Sequence, residues 1–315
     1  MQNLDKMKHF INLKDVPAKD LRKILNDAKK RKSARKKLNN LEIDKGVPLK
    51  GKLLIQMFEK SSLRTRLSFY LAIKQLGGST LTLRPDELHL SEGGESIKDT
   101  AKILSNFGNA FMLRTDNDKK LDEFKKYLSI PIINGLSPLS HPTQILSDVF
   151  TVEEIKKKSI SKLNISWIGD SNNVLNSLIA ASIKFSFKLN IGCPKKYHPN
   201  KNILSYIKNN KNKVQLYNDA KKAAVDADVI FSDKVISMND KVNKIKKLNH
   251  FKKFKIDKKL MNFAKKDCIF LHCLPRGTEV DEKIFSSKQS KVWQQALNRV
   301  HVQKSILIYC LGKLR

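Results

Sequence analysis

Arginine is scarce in this chain of 315 residues: it supplies ten of the 62 basic positions, at 22, 31, 35, 64, 66, 84, 114, 276, 299 and 315, and lysine supplies the rest. Base edges of nucleic acid are read largely by arginine, so a formal net charge of +32 does not by itself make a nucleic-acid-binding protein. Lysine interleaved with Asn and Ile over the surface helices reads as compositional drift on solvated faces; the run 241–259 is where a selected polyanion surface would lie. Cysteine is rare too. Cys193, Cys268, Cys273 and Cys310 form neither a C-x-x-C pair nor a zinc pattern, which argues for reduced thiols and against a structural metal. No apolar run approaches the roughly 20 residues of a membrane-spanning helix, and residues 1–14 lack the apolar stretch of a signal peptide. A cytoplasmic protein is expected. No G-x-G-x-x-G follows a strand pattern, which argues against a dinucleotide-dependent dehydrogenase.

What is present is an alternation of strand and helix patterns, with 40% hydrophobic residues and length enough for two domains. The apolar run 53–57 is followed by Phe58-Glu59-Lys60-Ser61-Ser62-Leu63-Arg64-Thr65-Arg66, and then by apolar residues at helical spacing up to Gly77-Gly78. That is strand, tight turn, helix. A helix start carries unpaired N–H groups and the positive end of the macrodipole. With two guanidiniums and two hydroxyls added, it suits a phosphate or similar oxyanion; an ordinary hydroxyl cap is the plainer reading. Strand patterns recur at 79–83, 110–113, 130–134, 163–168, 188–191, 214–216, 229–231 and 268–271, with Gly135 expected to open a turn. The pattern restarts after a helix beginning near Pro142. This predicts an α/β fold of two doubly wound parallel-sheet domains rather than an eightfold barrel. The expected domains are 1–140 and 141–315, with a linking helix over about 141–157. A C-terminal helix over about 290–312 is expected to return across both and pack on the first domain.

In open parallel sheets ligands lie beyond the carboxyl ends of the strands, and the polar clusters of this sequence fall at those ends. Arg64, Arg66, Arg114 and Arg276 are among them, although the chain otherwise favours lysine. A planar guanidinium fork suits bidentate recognition of phosphate or carbonyl oxygen, so these positions suggest a site. His141 and Gln144, three apart at a helix start, would face one side of its first turn; His141 has an alternative reading as a cap before Pro142.

Six motifs carry a resemblance. Ser62-Leu63-Arg64-Thr65-Arg66, Met112-Leu113-Arg114-Thr115, His141-Pro142-Thr143-Gln144, Trp167-Ile168-Gly169-Asp170-Ser171-Asn172-Asn173, Asp233 with Ser237-Met238, and His272-Cys273-Leu274-Pro275-Arg276 resemble, in this order, those of the ornithine carbamoyltransferases. The resemblance spans essentially the whole chain, and Cys273 favours the ornithine over the aspartate branch. It implies carbamoyl transfer from carbamoyl phosphate to the δ-amine of L-ornithine, giving citrulline and phosphate in arginine metabolism, with no cofactor, no metal and no covalent intermediate. By the same resemblance Ser62, Leu63, Arg64 and Thr65 would hold the phosphate, with Arg114 bridging phosphate and carbonyl oxygen. Thr65, Arg114, His141 and Arg276 would form an oxyanion hole. Gln144 and the Cys273-Leu274 backbone would hold the carbamoyl amide. Asn173, Asp233, Ser237 and Met238 would fix the α-amino and α-carboxylate groups, and Asp233 with Cys273 the δ-amine. His89, in the loop 87–96, would reach a neighbouring subunit's site, which implies a homotrimer or a multiple of trimers with no membrane partner.

Three positions depart from the family pattern. Leu63 stands where Thr is usual, Asn239 where Gly is usual, and the 87–96 loop is one residue longer than common forms. Competing readings are a carbamoyltransferase for another amine, such as putrescine or an N-acylated ornithine, and an inactive relative whose basic surface binds nucleic acid.

Overall fold

The computed structural model describes residues 7–84, 94–210, 213–236 and 243–314. His89, Ser237, Met238 and Asn239 lie outside them. The chain divides into two compact units, Met1–Ser147 with Leu297–Arg315, and Asp148–Ala296.

The first unit contains a four-stranded, all-parallel sheet in the order β2-β1-β3-β4. Its strands are β1 (Leu53–Phe58), β2 (Ser79–Leu83), β3 (Ala110–Arg114) and β4 (Ile132–Leu136). The helices are α1 (Ala18–Ala34), α2 (Arg64–Gln75), α3 (Ile97–Phe107) and α4 (Asp118–Tyr127). α1 buries Leu21, Ile24, Leu25 and Ala28, one stripe at helical spacing. β1 and β3 are buried along almost their whole length, as strands covered on both faces must be. Phe111 of β3 and Phe124 of α4 pack with ring centroids 5.1 Å apart in a cluster that includes Ile55, Met57, Leu104 and Leu113.

α5 (Pro142–Lys156) contains the change from the first unit to the second. The second unit's sheet is also all-parallel, in the order β7-β6-β5-β8-β9. Its strands are β5 (Asn164–Ile168), β6 (Lys188–Gly192), β7 (Val214–Tyr217), β8 (Val229–Ser232) and β9 (Ile269–His272). The intervening helices are α6 (Asn173–Phe185), α7 (Lys201–Asn209), α8 (Ala220–Ala224), α9 (Lys244–Phe251), α10 (Lys258–Met261) and α11 (Glu282–Phe285); α12 (Val292–Cys310) ends the fold. The two doubly wound parallel sheets anticipated from the sequence are therefore present. Their strand order reverses at β1/β3 and at β5/β8, the positions where such sheets open a crevice at the strands' carboxyl ends.

Gly135 departs from expectation. It lies inside β4, not in a turn. The β3–β4 register pairs Leu113 with Asn134 but Arg114 with Leu136, so Gly135 is the extra residue of a bulge. A Cβ there would come within 2.4 Å of Met112 Sδ, which explains why the position carries none. α4 begins at Asp118, where Asn117 caps it by accepting from the Lys119 N–H.

α12 also buries charge. Lys304 is fully buried with Nζ 2.9 Å from Asp44 Oδ2, and Arg35 Nη1 reaches Asp44 Oδ1 at 2.6 Å. Burial, only partly offset by Asp44, brings Lys304 down to about 8. Burial pushes the Cys193 and Cys268 thiols up to about 12 and raises Cys310 as well. These shifts have opposite consequences for stability above neutrality. Each thiol stays protonated in the fold while its unfolded counterpart ionises near 8.5, so stability held below that pH is lost as pH rises; Lys304, neutral in the fold before it is in the unfolded chain, adds stability between about 8 and 10.4. Three losses oppose one gain. Thermal unfolding followed at pH 8, 9 and 10 should give a falling midpoint, and a rising one would mean that these thiols are not shielded as described.

Candidate active site

At the end of β1 the chain turns into α2 through Ser62 and Leu63. Leu63, the residue flanking the helix, makes no side-chain cap. Its side chain cannot accept from the first-turn N–H groups, so the plain hydroxyl-cap reading of this turn does not hold, and those donors face the turn at the positive end of the helix. Leu63 itself is 69% exposed. The Arg66 guanidinium lies 5.2 Å from the centroid of the Phe58 ring, bracing helix against strand.

The ends of β1 and β3 are joined by Glu59. Its N–H donates to the Arg114 carbonyl (2.9 Å), and its carboxylate accepts from Thr115 Oγ1 (2.5 Å) and Lys120 Nζ (2.6 Å). This fixes the backbone from which Arg114 projects, beside the bulge at Gly135. From within β4, Asn134 Nδ2 lies within bonding distance of the Ile11 carbonyl, Ser137 Oγ and Ser140 Oγ, at 3.0–3.1 Å. The loop 137–140 is thereby held, and it delivers His141 and Gln144 to the start of α5, both buried.

Arg299, on α12, completes this arrangement. It is 2% exposed and donates through Nη1 to Gln144 Oε1 and through Nη2 to Thr65 Oγ1, each at 2.7 Å. Guanidinium only donates, so both partners are fixed as acceptors on that side, leaving the Thr65 hydroxyl proton and the Gln144 amide protons for other acceptors. His141 is held well below the usual imidazole range, first by burial and then by the positive charges of Arg299, Arg114 and Arg64. It is a neutral hydrogen-bonding group at pH 7. Three guanidiniums set around one neutral imidazole, at the reversal point of the sheet, can receive an anion carrying a carbonyl.

In the second unit Asp233 follows β8 directly. Its Oδ1 accepts from Cys273 Sγ at 2.9 Å and its Oδ2 from Asn172 Nδ2 at 2.7 Å. Asn172 also caps α6, accepting from the N–H groups of Val174 (3.0 Å) and Leu175 (3.1 Å), so one side chain sets both the start of α6 and the pose of the carboxylate. Asn173 is the first residue of α6. Cys273 follows β9 in a turn organised by the buried His272: its Nδ1 accepts from the Leu274 N–H (2.9 Å), which leaves Nε2 to donate to Glu279 Oε1 (3.1 Å). The Glu279 carboxyl is raised by burial but lowered by more through the His272 and Gly277 hydrogen bonds, for a net fall. Arg276 pairs with Glu282 and lies 4.2 Å from the Phe285 ring centroid.

Of the residues singled out from sequence, Thr65, Gln144, Arg64, Arg114 and His141 thus converge in the first unit, and Asp233 and Cys273, with Asn172 beside Asn173, in the second. Arg276 is engaged by Glu282 instead. Arg299, Glu59, Asn172 and His272 were not singled out for roles. Arg299 was countable among the ten arginines, but it sits mid-helix, where no strand end points to it.

A model of the aspartate/ornithine carbamoyltransferase carbamoyl-P binding domain matches residues 8–154, and one of the Asp/Orn binding domain matches residues 161–310. The ornithine carbamoyltransferase of Agrobacterium fabrum is 40% identical over 307 residues, 97% of this chain and 98% of that one, and its counterpart in Brucella suis is 41% identical over 313 residues, 99% and 98%. Among solved structures, the ornithine carbamoyltransferase of Pyrococcus furiosus superposes with a TM-score of 0.90 at 36% identity, covering 98% of both chains. The anabolic enzyme of Campylobacter jejuni gives 0.87 at 36% identity, covering 98% of this chain and 100% of its own. By its two domain matches and these full-length likenesses, this chain belongs to the aspartate/ornithine carbamoyltransferase family.

Proposed function

We propose that this protein transfers the carbamoyl group of carbamoyl phosphate to the δ-amine of L-ornithine, a step of arginine metabolism that forms citrulline and phosphate. The observation that carries the reading is the set of Arg64, Arg114 and Arg299 around neutral, buried His141. Carbamoyl phosphate pairs a dianionic phosphate with a carbonyl, and this set pairs cations with a neutral donor. The α2 start, through the Ser62 and Leu63 backbone with Arg64 and Thr65, takes the phosphate, and Arg114 bridges to the carbonyl oxygen. As the carbon becomes tetrahedral, Thr65, Arg114 and His141 donate to the developing oxyanion, and Arg276 is the further donor that the family resemblance implies. The Gln144 amide, oriented by Arg299, lies against the carbamoyl group together with the Cys273-Leu274 backbone.

Asp233 supports the choice of a free amino acid as acceptor. Its carboxylate, already holding Cys273 and Asn172, suits an ammonium group, and Asn173 a carboxylate. Ser237 and Met238 complete this side in the reading, as His89 does for a neighbouring subunit. The four cysteines are free, in keeping with a reducing cytoplasmic setting. Among the described residues no helix is long and apolar enough to cross a membrane, and no cluster of three or more His, Cys, Asp or Glu could hold a metal. A trimer, or a multiple of one, follows the family resemblance, and the first unit has exposed apolar side chains at Leu67, Tyr70, Leu81, Ile103 and Phe107 for a partner to cover.

The deciding experiment is an assay for carbamoylated product with carbamoyl phosphate against ornithine, N-acetylornithine, putrescine and aspartate. Ornithine should be the acceptor used, and success with another amine alone would overturn the substrate. The attacking amine resembles that of lysine, with a reference pKa of about 10.4, so the rate with ornithine should climb from pH 7 to 9; His141, neutral throughout, adds no inflection near 6.5. A flat profile would exclude amine deprotonation as the controlling step. Arg64→Ala should remove nearly all turnover. Leu63→Thr, at an exposed position whose backbone N–H persists, should match or modestly better the parent; equal losses from both would mean that the turn works otherwise. Light scattering should give a mass of about three times the 36.0 kDa chain or a multiple of that, and a monomer would refute the assembly.

A further inference from the structure

The described lysines of residues 244–259 are exposed except Lys247 on α9, which is buried, with a side chain 4% exposed. Its Nζ lies 2.5 Å from Asp170 Oδ2 and 5.7 Å from the centroid of the Tyr197 ring. Tyr197 is itself held against α9: its ring lies 5.0 Å from that of Phe251, and its hydroxyl 3.0 Å from His250 Nδ1. A lysine in such a place is not a solvated charge. The Asp170 carboxylate balances it.

That carboxylate stands at a critical point of the chain. Asp170 follows Gly169, whose φ of +148° disfavours any side chain, in the turn from β5 to α6 at the reversal of the second sheet. Its carbonyl accepts from Trp167 Nε1 at 3.1 Å, so the Asp170 backbone is anchored from the strand. Two residues on, Asn172 caps α6 and holds Asp233. The span from Gly169 to Asn172 is too short to move at one end and stay fixed at the other.

We propose that Lys247 is a positioning residue for the amino-acid substrate: by holding the Asp170 carboxylate it sets the β5–α6 turn and the Asn172 cap within it, and through them the Asn173 and Asp233 groups that receive ornithine. The inference rests on the proposed ornithine reading. Removing the cation takes the Lys247 ion pair from a carboxylate that is only 13% exposed, and turning that carboxylate toward water takes the turn with it. The residues assigned to the phosphate belong to the other compact unit.

The test is steady-state kinetics on the full-length protein with both substrates varied. Lys247→Met should raise the KM for ornithine by about tenfold or more while leaving that for carbamoyl phosphate within about twofold, and Lys247→Arg, which keeps the charge, should recover most of the loss. Lys247→Gln, with milder packing change, carries the same comparison if the Met variant does not fold. An ornithine KM unchanged in the Met and Gln variants, or both KM values rising together, would overturn the positioning role; a lowered melting temperature alone is what a purely structural lysine would give, and would count against it. If the unaltered protein makes no citrulline, the activity falls and the inference with it, whereas an active parent with kinetically silent variants removes the inference only.

Discussion

A guanidinium can donate hydrogen bonds but not accept them, and much of the first unit's chemistry follows from where one guanidinium has been buried. Arg299 faces Gln144 and Thr65 at equal distances. Both partners can donate or accept, so without it their hydrogen-bond directions would be free to vary. With it, each turns its acceptor inward and its protons elsewhere. After burial, the same charge also helps to hold His141 below the usual imidazole range, so a single buried residue sets the direction of two groups and contributes to the protonation state of a third. The second unit uses the opposite sign for the same end: Asp233 only accepts when ionised, and it orients the Cys273 thiol and the Asn172 amide as donors.

The sequence carried more of the fold than of the site. Parallel strands buried on both faces make near-continuous apolar runs, and β1, β3, β5, β8 and β9 were readable for that reason. β4 misled at Gly135. A glycine after a strand pattern signals a turn more often than a bulge, and only the nearness of Met112 Sδ distinguishes the two. The site residues that were legible stand at strand ends, where a polar group after an apolar run needs a reason. Those that were missed depend on tertiary pairing: Arg299 acts from within a helix, Glu59 as the partner of a backbone carbonyl and two side chains, and His272 as the partner of a backbone N–H and a carboxylate. Arg276 was legible as a charge at a strand end, but its partners, Glu282 and Phe285, follow from how the chain folds after it.

The scarcity of arginine takes on a second meaning once its contacts are known. Lys304 meets one carboxylate, and Lys247 one carboxylate and a ring, tasks that a point charge performs. Arg35 instead spreads its fork over the Glu42 and Asn39 carbonyls and Asp44, Arg299 spans two acceptors, and Arg66 and Arg276 lie over aromatic rings. The forked contacts of Arg35 and Arg299 are not met by an ammonium of the same charge. In a chain whose basic positions have otherwise gone over to lysine, these arginines mark where shape, and not charge, has been under constraint. Composition, which looks uninformative when averaged over 315 residues, becomes a positional record when the commoner of two cations is the default.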